Sequence, residues 1–137
     1  MKSRSESLIR LKKFEVDEQR RKVSQIEMMV NDFMRMAGEL DQQIEIEQTK
    51  TGISDVAHFA YSTFAKAAMG RRDNLIASAN DMREKLETAQ DALAEAIEDL
   101  KKVELLDQRE HQREAAEQLK VEQAEYDEMG RLRYREQ

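Results

Sequence analysis

From Leu75 to Val103 two interleaved rows repeat every seven positions. Leu75, Met82, Ala89, Ala96 and Val103 form one, Ala79, Leu86, Leu93 and Leu100 the other, and every member is apolar. A repeat of period 3.5 lays both rows along one face of an α-helix and requires a second helix to cover them. A candidate partner lies upstream. Ile9, Val16, Val23, Val30, Ala37 and Ile44 are spaced by seven and all apolar, while the row three residues later reads Lys12, Gln19, Ile26, Phe33, Leu40 and Glu47. That second row is apolar only in its middle, so the seam is firm from Val23 to Ile44 and looser toward the N-terminus. After Leu106 the downstream pattern fades; Leu119, Tyr126 and Met129 restart a stripe out of phase, as in a helix that continues without a regular partner.

Composition narrows the alternatives. Of 137 residues 38% are charged and 5% aromatic, with no tryptophan, too few apolar side chains for a globular core. No proline, four glycines and abundant Glu, Ala, Lys, Arg, Gln, Leu and Met favour helix over disorder. Cysteine is absent, which excludes disulfides and thiolate metal sites. No apolar run approaches the ~20 residues of a membrane-spanning helix, and no secretory leader is evident, so a soluble intracellular protein is expected.

Between the seams, "KTGIS" carries Gly52, suited to ending a helix, and Ser54, suited to capping the next. The expected fold is all-α: a long antiparallel two-helix coiled-coil hairpin, arm one at about 6–48, bend and tip at about 49–70, arm two at about 71–135. Gly70 leaves room for a short separate helix at the tip. Arm two should outrun arm one, leaving its end unpaired. Two seams in one chain satisfy each other, so an isolated monomer is expected. Residues 1–23 hold eight bases against four acids and residues 131–137 three against one, whereas residues 71–130 hold nine bases against seventeen acids. A hairpin brings the two basic ends to one pole.

Little in the sequence suggests catalysis. Asp55 and His58 have the i, i+3 spacing used by carboxylate-bridged metal sites in helical bundles, but no second pair accompanies them. His111 lies in a charged run one turn after Asp107, and surface placement is expected for both histidines. The acids fall on solvent faces, and no phosphate-binding glycine loop occurs. No enzyme, metal or cofactor is expected. The bases at 10–13 and 20–22 are interleaved with Glu15, Asp17 and Glu18, and a net charge of −6 opposes nucleic acid. A protein partner fits better.

One stretch departs from this polar background. "GISDVAHFAYSTFAKAAMG" (52–70) has one acid and one base but three of the seven aromatics, Phe59, Tyr61 and Phe64. They either plug the end of the coiled coil or leave an exposed apolar surface for a partner.

The hairpin of charged helices, the "YSTF" (61–64) at the start of arm two and "YDEMGRLR" (126–133) together resemble the FliJ family of the bacterial flagellar type III export apparatus, over nearly the whole chain. The opening "SLIRLKKFEVDEQRRKVSQIE" resembles alphaproteobacterial forms. The resemblance implies a non-enzymatic coiled-coil stalk at the cytoplasmic face of the inner membrane. It would enter the hexameric export ATPase and also engage a membrane-embedded export-gate protein, without inserting into the membrane. It further implies gate binding by Phe64, with Tyr61, Phe59 and Ala68 beside it, and ATPase binding by Tyr126, Asp127, Glu128, Arg131 and Arg133. Ala68 departs from the larger aliphatic residue of some members. A general export chaperone or coiled-coil scaffold is an alternative. A hairpin acting in a polymerase channel fits less well, since the bend holds a single acid, Asp55.

Overall fold

The computed structural model describes residues 4–136. It is all-α: helix α1 spans Arg4–Thr51, helix α2 spans Thr63–Glu136, and the two pack against each other as a helical hairpin. The helices are 48 and 74 residues long, and the connecting loop is confined to residues 52–62. Both arms therefore extend further into the bend than the repeats suggested, and Gly70 lies inside α2 rather than ahead of it. A mid-helix glycine costs ~1 kcal/mol relative to alanine; here the fully buried Ala65 and Ala68 hold the preceding turns in place.

The chain divides into two compact units, Asp17–Glu95 and the pairing of Met1–Val16 with Ala96–Gln137. In the first, α1 buries Val23, Val30, Ala37 and Ile44, and α2 buries Ala65, Ala68, Ala79 and Ala89. Asp41 meets Arg72, whereas Lys22 and Ile26 lie against Glu84–Ala92, which fixes the antiparallel sense. Each branched residue sheltered by the seam contributes ~1.5–3 kcal/mol relative to exposure. The companion row of α1 is half-buried throughout, including its polar members Gln19 and Glu47. Both α2 rows are likewise buried or half-buried at every position from Leu75 to Leu93.

These two rows start earlier than the apolar pattern reveals. Ala65 and Arg72 precede Ala79 at intervals of seven, and Tyr61 and Ala68 precede Leu75 in the same way. Arg72 occupies a seam position as a base because its guanidinium reaches Asp41 at 2.9 Å and Asp73 at 3.1 Å, which raises its pKa.

In the second unit Val16 is buried, and Ser5, Ile9 and Lys12 are half-buried against the α2 rows that end in Leu100, Val103 and Asp107. Ser5 donates to Glu110 at 3.3 Å. Asp107 continues the Leu93–Leu100 row: it is half-buried, its Oδ1 has no hydrogen-bond partner, and its Oδ2 lies 3.7 Å from His111 Nε2. From Gln108 to Glu136 every residue of α2 is exposed.

Candidate functional site

The segment rich in aromatics forms the bend, and its geometry starts from a helix stop. Gly52 adopts φ +73°, a left-handed conformation that glycine enters without steric cost, and its amide donates to the Gln48 carbonyl at 2.9 Å. Thr51 reinforces this end, its hydroxyl donating to the Gln48 carbonyl and accepting from the Ile53 amide.

Two consecutive turns follow. His58 N–H donates to the Asp55 carbonyl at 3.0 Å, and Tyr61 N–H to the His58 carbonyl at 3.1 Å. The side chains complete them. Asp55 Oδ1 accepts from the Ala57 amide and His58 Nδ1 from the Ala60 amide, both at 3.0 Å. Asp55 and His58 are thus engaged as local turn acceptors, and among the described residues no group of three or more His, Cys, Asp or Glu is placed to hold a metal.

α2 is capped by Ser62, not by Ser54. The Ser62 hydroxyl accepts from the Ala65 amide at 3.2 Å and donates to Glu47 Oε1 at 3.0 Å, joining the start of α2 to the end of α1. Ser54 is displaced from that role because the two turns occupy the chain between it and the first helical residue.

Tyr61 is only 8% exposed and packs with Ile44, Ala65 and Ala68, flanked by Leu40, Ile53 and Met69. Its hydroxyl accepts from Gln48 Nε2 at 2.9 Å and donates to the Met69 sulfur at 3.9 Å. Phe59 is 96% exposed and Phe64 49%, and Phe59 stacks on His58 with ring centroids 4.7 Å apart. The four residues expected to form a docking surface therefore divide. Tyr61 and the fully buried Ala68 belong to the core and support the bend from within; Phe59 and Phe64 face solvent. The plug and the exposed surface, posed as alternatives by the sequence, are both present on different aromatic residues.

The other expected site falls on the uncovered end of α2. Tyr126, Asp127, Glu128, Arg131 and Arg133 are all exposed, as are Leu119, Val121, Met129, Leu132 and Tyr134. Hydrogen bonds there are local, Gln118 to Glu122 and Gln123 to Asp127, each one turn apart. Among the described residues no helix is long and apolar enough to cross a membrane.

The contributions of Gln48, Ser62, Met69 and Arg72 were not legible in the heptad pattern. A hydroxyl residue three positions ahead of Ala65 was the available signal for Ser62; the pairing of Gln48 with Tyr61 had none.

The family model for the flagellar FliJ protein matches residues 1–137, so the chain belongs to the FliJ family and with it to the components of the flagellar export apparatus. No match is found among curated proteins or solved structures.

Proposed function

We propose that this member of the FliJ family couples the export ATPase to the membrane export gate, acting through its surfaces and carrying no chemistry of its own. The gate would dock on Phe59 and Phe64. The ATPase would take the uncovered end of α2 through Tyr126, Asp127, Glu128, Arg131 and Arg133. Supporting this reading is the near-complete exposure of Phe59 beside a bend ordered by two hydrogen-bonded turns that the Asp55 and His58 side chains complete. An exposed aromatic residue on a preordered loop loses little entropy when a partner covers it, as is common in binding anchors. Its work takes place at the cytoplasmic face of the inner membrane, where gate and ATPase are both accessible.

The test is a Phe59→Ala, Phe64→Ala double variant. Gate affinity should fall by about 2 kcal/mol or more while unfolding free energy changes by under about 1 kcal/mol. Full gate affinity in a folded variant would reject the docking surface. For the other end, Arg131→Glu with Arg133→Glu should weaken ATPase binding in a salt-sensitive way; unchanged affinity at low salt would remove these residues from the interface.

A further inference from the structure

The uncovered end of α2 carries a pattern that is complementary to itself. Glu122, Tyr126, Met129 and Arg133 are four, three and four residues apart, so they form a single stripe along one helix face, and all four are exposed. Read in order, the stripe is acid, aromatic, thioether, base. Reversed and laid against itself, it sets Arg133 against Glu122, Met129 against Tyr126, and then the same two pairs again.

We propose that two copies of this chain associate antiparallel through this stripe, about a two-fold axis passing between Tyr126 and Met129. Every contact then occurs twice, as an isologous interface requires. The centre holds two thioether–aromatic pairs, a favourable combination for sulfur near a ring edge. The flanks hold two Glu122–Arg133 pairs. A parallel arrangement would place Glu122 beside Glu122 and Arg133 beside Arg133, so charge alone selects the antiparallel one.

Two further observations favour a second copy as the occupant. Charge along this helix is divided lengthwise. Residues 115–128 carry Glu117, Glu122, Glu125, Asp127 and Glu128 against Lys120, whereas residues 129–136 carry Arg131, Arg133 and Arg135 against Glu136. In the register set by the stripe, antiparallel copies bring Glu122 and Glu125 of one beside Arg133 and Arg131 of the other, while Asp127 and Glu128 fall at the axis. In addition, Arg133 makes no ion pair among the described residues, so its charge is available. The monomer expected from the two long seams took no account of this third stripe.

The interface is short, so the dimer is weak and concentration-dependent. Tyr126 and Arg133 also belong to the surface proposed for the ATPase, so pairing and ATPase binding would compete. The test uses the chain alone and does not depend on that reading.

Sedimentation equilibrium of the full chain over a wide concentration range should show the apparent mass rising toward twice the monomer value, less so at high salt. Glu122→Arg and Arg133→Glu should each raise the dissociation constant about tenfold or more with helix content unchanged by circular dichroism. An equimolar mixture of the two variants should recover association, because each chain then supplies the charge the other lacks. A wild-type chain monomeric at every concentration would overturn the proposal, as would variants that pair as well as wild type or a mixture that stays as weak as its components. Recognition of this face by a different protein only would appear as the first of these results.

Discussion

Tyr61 lies at the entry to α2 and Tyr126 near its far end, and one is 8% exposed and the other 75%. Around Tyr61, α1 supplies Leu40, Ile44 and Gln48, and the start of α2 supplies Ala65, Ala68 and Met69, so ring and hydroxyl are both satisfied. Around Tyr126 the helix has no neighbour among the described residues. An apolar stripe is a requirement for a partner and does not itself supply one. Where α1 meets it the stripe becomes core, and where α1 is absent it becomes surface available for binding.

The sharpest way to break this comparison is to make the same change at both positions. Tyr61→Ala should cost about 3–5 kcal/mol, the range for truncating a buried aromatic, whereas Tyr126→Ala should stay within about 0.5 kcal/mol. Denaturant unfolding of the isolated chain reads both; equal losses would mean that the end of α2 is covered after all. At high concentration Tyr126→Ala should instead reveal itself in the association measurement.

Adding volume is the second comparison. Ala68 has no exposed surface, and Ala68→Leu should cost about 1–3 kcal/mol by overpacking, while Ala124→Leu on the uncovered helix should stay within about 0.5 kcal/mol. A neutral Ala68→Leu would show that the helices separate easily at the bend.

A smaller effect distinguishes the two candidate caps. Ser62→Ala should lose about 1 kcal/mol, because the Ala65 amide loses its acceptor, and Ser54→Ala should lose almost nothing. The reverse order, seen by thermal melting, would restore Ser54 as the start of the second helix.

The smallest difference is one of sign. Gly52→Ala forces a side chain into the left-handed region and should destabilise by about 1 kcal/mol. Gly130→Ala, in open space on a helix, should stabilise the end of α2 by up to about 1 kcal/mol. Hydrogen exchange at the last turns would detect the second even where global unfolding does not.

Much of the architecture follows from spacing. The seven-residue rows identified the buried face of both helices, including half-buried Lys12, Gln19 and Glu47, because position on a helix face depends on phase and not on residue type. The same rows left their own ends undefined. Ala65 and Ala68 hold little apolar surface, and Arg72 and Asp107 are charged, so an apolar pattern does not register them even though they occupy seam positions.

The candidate site was legible as a location but not as a surface. Low charge and clustered aromatics marked residues 52–70; Tyr61 is in phase with Ala68 and Leu75, but it precedes the first helical residue of α2, where helical phase alone does not set the direction of a side chain. That direction depends on two turns closed by Asp55 and His58, which set the path of the chain entering α2. Similarly, both Ser54 and Ser62 had the chemistry of a cap.

The sequence by itself determined that this chain is helical, that each helix buries one stripe, that the first helix stops near Gly52, and that the last part of the second helix has no partner in the repeat. These are matters of backbone propensity and periodicity, which act over neighbouring residues. Only the tertiary structure decided which aromatic became core, which serine became the cap, and that Arg72 and Asp107 would sit in the seam. Those outcomes depend on Gln48, Glu47 and Asp41 in α1, and their proximity to α2 exists only once the chain has turned back on itself.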